Sequence, residues 1–141
     1  MATVDDIRRL VALDHGLASL STLRLDDGIQ VTLVNAGVID HPAGGDPVAA
    51  FVSRQSTVKL ANLQRRPQAT LLWRAGWAWA AAEGTAEIVG PDGPEVPGLL
   101  RTIYSAAGGG EHEDWAEFDR VMAAERRCAV LLRPARIYVN P

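Results

Sequence analysis

Six or seven short apolar runs follow one another along this chain, most of them separated only by turn residues. Leu17 to Arg24 and Ile29 to Asn35 flank Asp26-Asp27-Gly28, a tight-turn signal that predicts a hairpin. Val38 to Asp40 either continues the second strand or begins another. His41 to Pro47 holds two glycines and two prolines and reads as a loop. Val48 to Ser53, Ala69 to Arg74 and Trp77 to Val89 are further strands. Gly84 inside the last marks a bulge or a close approach. Arg127 to Arg133 and Arg136 to Asn140 read as closing strands with Pro134 at the turn. Helices do not alternate regularly with these strands, which argues against a doubly wound sheet. The expectation is a mainly β chain with short helices, an antiparallel barrel. A length of 141 residues suits a single domain, 1–141, around one core.

Three or four helices fit between the strands. Thr3, with Asp6 three positions on, caps a helix that runs to about Asp14 and turns Ile7, Leu10 and Val11 inward. Ser56 or Thr57 caps a helix over Val58 to Arg66, with Val58 and Ala61 among its inward residues, and Pro67 stops it. Val96 to Ala107 and Trp115 to Ala124 are two more, split by Gly108-Gly109-Gly110. Asp114 with Glu117 predicts an N-terminal cap on the second.

Several kinds of chemistry have no carrier here. The net charge of −3 argues against a general nucleic-acid binder, which needs excess Lys and Arg. No apolar run approaches the roughly 18 residues that span a bilayer. The first residues carry acid and no apolar core of a signal peptide, and Cys128 is the only cysteine. A cytoplasmic location is expected, with Cys128 a buried, inert thiol. His15, His41 and His112 lack metal-ligand spacing. The acidic run Glu111-His112-Glu113-Asp114 reads as a helix approach. No Gly-x-Gly-x-x-Gly follows a strand, and no Gly-x-Ser-x-Gly elbow is present. Hydride transfer survives these exclusions, because there a cofactor carries the hard step.

One segment stands out, Val52-Ser53-Arg54-Gln55-Ser56-Thr57-Val58-Lys59-Leu60-Ala61-Asn62-Leu63. A strand ends near Ser53 and a helix begins near Thr57. Helix N-termini present free N–H groups and the positive end of the dipole, so cations there are unfavourable unless an anion is bound. Arg54 and Lys59 are two such cations, and Arg54 can grip phosphate oxygens with its fork. A solvated basic helix end explains the same residues without a ligand. Arg65 and Arg66 lie in the last turn, where cations suit the dipole.

The pattern Arg54-x-Ser56-x-x-Lys59-x-x-Asn62-Leu63, followed by Arg66-Pro67 and a strand, resembles the flavin-binding split β-barrel group, relatives of pyridoxamine 5′-phosphate oxidase. It resembles most the deazaflavin-dependent reductases that use coenzyme F-420. Leu17-Ala18-Ser19-Leu20-Ser21-Thr22, Gln30 to Asn35, and Trp79 to Ile88 with its Glu83-Gly84-Thr85-Ala86 carry the rest of the resemblance, which runs from about Asp5 to Asn140. It implies a six-stranded antiparallel split β-barrel, the FMN-binding split barrel. It implies a homodimer with two sites at the interface, a small-molecule substrate, and coenzyme F-420 as cofactor, with FMN the alternative. Arg54, Ser56, Lys59 and Asn62 would hold the cofactor's phosphate or acidic tail, with Arg8, Arg9 and Arg24 as further cations for a polyglutamate tail. Ser53 would sit near the ribityl chain. Thr32, Val34 and Asn35 would run beside the ring, although Thr32 and Asn35 also suit an ordinary exposed strand face. Trp77 or Trp79 would reach the site from the second subunit, or else pack in a core or interface. The proton source stays open between water and a hydroxyl such as Ser19. A non-catalytic carrier of a flavin or tetrapyrrole is the remaining reading. The segments after Asn35 and from Leu99 to Ala124 depart from the commoner pattern, so substrate contacts are expected there.

Overall fold

The predicted first hairpin forms as β1 (Leu17–Leu23) and β2 (Ile29–Ile39), with Ser19 opposite Leu33 and Leu23 opposite Ile29. Asp27 turns the chain at φ 67°, and the Asp26 carboxylate accepts a bond from the Gly28 amide at 2.9 Å. β2 runs on unbroken through Val38 to Ile39. The other strands are β3 (Val48–Arg54), β4 (Gln68–Ala75), β5 (Ala78–Val89) and β6 (Arg127–Val139). The computed structural model describes residues 1–141. It closes these six strands into a barrel in the order β1-β2-β3-β6-β5-β4, every neighbouring pair antiparallel. No helix is long and apolar enough to cross a membrane.

Two cores result from the alternation of side chains along each strand. Leu20, Val34, Ala36, Phe51, Leu71, Trp73, Val130 and Leu132 fill the barrel interior. Against them pack α1 (Val4–Leu13), through Ile7, Leu10 and Val11, and α2 (Val58–Arg65), through Leu60 and Leu63. Trp73 is buried and its indole N–H donates to the Ala36 carbonyl at 2.9 Å, so its polar atom is satisfied. On the outer side, Ile39, Val48, Ala50, Ala129 and Leu131 lie under α3 (Val96–Tyr104) and α4 (Trp115–Ala124). The Thr3 cap of α1 forms reciprocally with Asp6, and Asp114 caps α4 by accepting from the Glu117 amide.

Four expectations are corrected. Pro134 does not turn the chain: β6 passes straight through it. Glu83 pairs with Arg136 and Gly84 with Pro134, so Ala135 is an extra residue, and a bulge is where a strand tolerates a missing N–H. Gly84 is the matching close approach, since a Cβ there would lie 2.0 Å from the Arg133 carbonyl oxygen. Trp77 lies in the two-residue turn before β5 rather than in the strand. α3 ends at Tyr104, and Ser105–Gly109 forms a π turn in which Gly108 sits at φ 92°. In α2 the inward residues are Leu60, Asn62 and Leu63, while Val58 is exposed.

Candidate functional site

The junction from β3 to α2 leaves its helix end open to a ligand. Thr57 stands at the N-cap, yet its side chain makes no capping bond. The Thr57 hydroxyl instead donates to the Arg54 carbonyl at 3.1 Å and shares a 3.1 Å bond with the buried Ser53 hydroxyl. Val58, Lys59 and Leu60, the first turn, therefore keep their N–H groups uncapped, and no acidic residue lies in that turn. Ser56 is exposed in the turn just before.

Three cations gather here. Arg54 on β3 and Arg127 on β6 are direct cross-strand partners. Glu125, just past the end of α4, holds both: Oε2 accepts from Arg54 Nη2 at 3.0 Å, and Oε1 accepts from Arg127 Nε at 3.0 Å, with Arg127 Nη2 ion-paired to the same oxygen at 2.9 Å. The Arg127 hydrogen bond, with Arg54 adding its charge and bond, keeps the Glu125 carboxyl below its ordinary range. Lys59 is half-buried and has no acidic partner within 4.0 Å. Burial, then repulsion from Arg127, holds its ammonium below the ordinary lysine value. Lys59 is also the only lysine among 14 basic residues.

Beside this cluster opens a cavity of about 320 Å³ between the outer side of β2, β3 and β6 and the α3–α4 region. Val52, Ile103, Tyr104, Phe118 and Met122 make it largely apolar, and Arg127 and Asn35 give it polar edges. The Asn35 amide donates to the His15 carbonyl at 2.8 Å, which fixes its orientation. Arg127 thus belongs to both the cation cluster and the cavity. Sequence reasoning missed Arg127 and Glu125, because strand pairing brings them to Arg54 from 71 or more positions away.

No family model matches the chain. Its fold is shared with solved structures at low identity. A conserved hypothetical protein from Mycobacterium tuberculosis superposes with a TM-score of 0.76 at 20% identity, over 99% of this chain and 84% of the other. A pyridoxamine 5′-phosphate oxidase-related, FMN binding protein from Nostoc punctiforme gives 0.68 at 14% identity, over 96% and 79%. An F420 reductase gives 0.62 at 19% identity, over 91% and 93%. The chain has the FMN-binding split-barrel fold.

Within this split barrel the other predicted residues fall in three places. Asn35 lines the cavity. Thr32 and Val34 share the opposite strand face, turned to the barrel interior, so Thr32 is not on an exposed face; its hydroxyl is buried without a hydrogen-bond partner. Asn62 is 3% exposed, and its amide donates inward to the Thr22 hydroxyl at 3.1 Å and Gln30 Oε1 at 3.3 Å, tying α2 to the barrel. Trp77 is 92% exposed. Trp79 packs edge-on against Tyr138 at 6.1 Å on the outer sheet face. Neither tryptophan lines the cavity within one chain: Trp79 lies at the start of β5, where Ala80 pairs with Val139, and the β6 residue in the cavity wall, Arg127, is at the opposite end of that strand. Ser19 also lies on that outer face, opposite Leu33, away from the cavity.

Proposed function

We propose that the chain is a flavin-type oxidoreductase that transfers a hydride from reduced coenzyme F-420 to a small conjugated organic acceptor. The observation that carries this reading is Lys59, half-buried, unpaired and repelled by Arg127 at an uncapped helix end. A cation so placed is unfavourable alone and becomes favourable with a bound anion. Arg54, Ser56 and Lys59 would hold the anionic group, with Arg127 beside them and Ser53 keeping the Thr57 hydroxyl turned away from the cap. Thr32 and Val34 would act through their backbone only, and Asn62 by fixing α2. When bound, the deazaflavin supplies the hydride. The cavity excludes water from one face of the acceptor, and Asn35 orients its polar edge. His15 and Tyr104 line the same cavity and are the groups there able to hand over a proton.

The resemblance and the open sheet face together support a homodimer. Ile29, Val31 and Leu33 stand 63%, 59% and 68% exposed in a row on β2, the same strand face as Asn35. A second copy seated there would cover this row and bring Trp79 toward the neighbouring site.

FMN is the second reading, and one observation favours it. Arg8, Arg9 and Arg24, the cations available for an acidic tail, already pair with Asp5, Asp6 and Asp26. A cofactor with one phosphate and no tail needs none of them. Side-by-side titration with F-420 and FMN separates the two. The proposal expects F-420 to bind at micromolar concentration, and the absorbance of its oxidised form to return when an unsaturated acceptor is added to the reduced complex. Tight FMN and no F-420 would select the second reading; binding of neither would end both.

A further inference from the structure

We propose that Glu125 is a built-in competitor at the anion site and that it makes the site select ligands bearing a doubly charged phosphate group over carboxylates and other monoanions. This rests on the reading that the Arg54–Lys59–Arg127 cluster takes the cofactor's anionic group. The Glu125 carboxylate already engages both arginines a ligand would use: Oε2 accepts from Arg54 Nη2, and Oε1 accepts from Arg127 Nε with Arg127 Nη2 2.9 Å from the same oxygen. Lys59 alone stands free. An incoming carboxylate replaces like with like at the arginines and gains only Lys59. A phosphomonoester brings a second negative charge and a third oxygen, so it can take Lys59 and an arginine fork together. Three cations against one carboxylate leave two positive charges uncompensated, which suits the phosphomonoester of FMN, about −1.5 to −2, better than the singly charged phosphodiester of F-420.

The backbone holds Glu125 in this post. Arg126, the next residue, sits at φ 50°, a left-handed conformation that glycine adopts more readily. It is kept there because its carbonyl accepts from the Gln55 amide at 3.1 Å and its guanidinium donates to Asp92 at 3.1 Å. The turn into β6 thereby fixes Glu125 against Arg127 while joining it to the loop that carries Arg54 and Ser56. The Glu125 carboxylate has no other partner than these two arginines.

The test compares wild type with Glu125→Gln, which keeps the shape and removes the charge. FMN and F-420 affinities are measured by fluorescence at low and high salt, with phosphate and acetate as competitors. Expected is a gain in cofactor affinity of roughly tenfold in Glu125→Gln at low salt, shrinking as salt screens the charges. Acetate should displace cofactor from Glu125→Gln at concentrations that leave wild type loaded. Equal or weaker cofactor binding by Glu125→Gln, with acetate no better a competitor, would overturn the inference, because Glu125 would then merely orient the arginines. Should Glu125→Gln fail to fold, Glu125→Asp retracts the carboxylate by one methylene, and affinity should again rise; no rise overturns the inference. Binding that Lys59→Ala weakens but neither Glu125 variant changes would defeat this inference and leave the site standing. No binding by any of the proteins would defeat both.

Discussion

Gly37 on β2 lies against the π turn that walls the cavity, and its replacement by Ala probes that wall directly. A Cβ at Gly37 would sit 2.3 Å from the Ala106 carbonyl oxygen, 2.5 Å from its carbon and 2.8 Å from the Ala107 nitrogen. Close carbon–oxygen contacts lie near about 3.3 Å, so the turn must retreat by about 1 Å. The obstacle is backbone, and it is pinned from its other side: a Cβ on Gly16 would meet the Ala107 oxygen at 2.5 Å, and one on Gly108 the His15 carbon at 2.5 Å. Overpacking of this kind costs about 1–3 kcal/mol, which lowers the melting temperature by roughly 3–12 °C for a chain of this size. Ala107, Gly108 and Gly109 line the cavity, so the displacement also misplaces whatever binds there. A shift of about 1 Å can cost up to ~100-fold in turnover. Gly98→Ala in α3 is the control: nothing lies within 4 Å of its Cβ, and it should stabilise by about 0.5–1 kcal/mol without touching cofactor binding. Thermal denaturation and cofactor titration of both variants decide the matter. A Gly37→Ala protein that melts with wild type and binds equally well would refute the reasoning.

Other outcomes follow from the same geometry. Leu33→Asp should convert a dimer to monomer in analytical ultracentrifugation while leaving the melting temperature of the barrel nearly unchanged, since Leu33 is exposed; a wild type that already sediments as a monomer contradicts the proposed interface. The Arg101 hydrogen bond, and then its charge, holds the Asp119 carboxyl below its ordinary value. A carboxylate depressed by folding contributes stability above its unfolded value, 3.8, and loses it as pH falls through the lower folded value. Urea midpoints of wild type and Asp119→Asn should therefore differ at neutral pH and converge in acid below that value; a gap that persists there argues against the pair. Reductive methylation with ¹³C labels one lysine side chain in this chain. Its titration should fall below the ordinary lysine range in the free protein and move upward when FMN or F-420 binds, and a signal indifferent to ligand would detach Lys59 from the site.

The barrel was legible because β1 and the start of β2 alternate, as in Ser19–Ser21 against Val31–Leu33 across Asp26-Asp27-Gly28, and β3 and the start of β6 are short continuous apolar runs. Pro134 misled because a bulge supplies what a turn would, a backbone position that needs no N–H. Trp77 misled because an apolar residue beside a strand reads as part of it, whereas the Gly76-Trp77 turn leaves it outside. In the site, the local part was readable: Arg54, Ser56 and Lys59 sit on one strand–helix junction. Asn62 shares their spacing, but its amide is taken by Thr22 and Gln30, a choice made by packing rather than by the motif. Glu125 and Arg127 were invisible for the opposite reason, since only the β3–β6 register brings them to Arg54. One signal was available and unread: a single lysine in a chain whose other 13 basic residues are arginines marks a position that wants a compact ammonium.

The central claim is that Lys59 completes an anion site for a flavin-type cofactor, and equilibrium titration of wild type against Lys59→Ala tests it most directly. Loss of a charged hydrogen bond of about 1.5–3 kcal/mol corresponds to a weakening of roughly 10- to 100-fold. The expected result is micromolar binding of F-420 or FMN by wild type and a loss of that size in Lys59→Ala, with the barrel's melting temperature held or raised, because an unpaired cation has been removed. Equal affinity in the two proteins, or no binding by either, would contradict the claim.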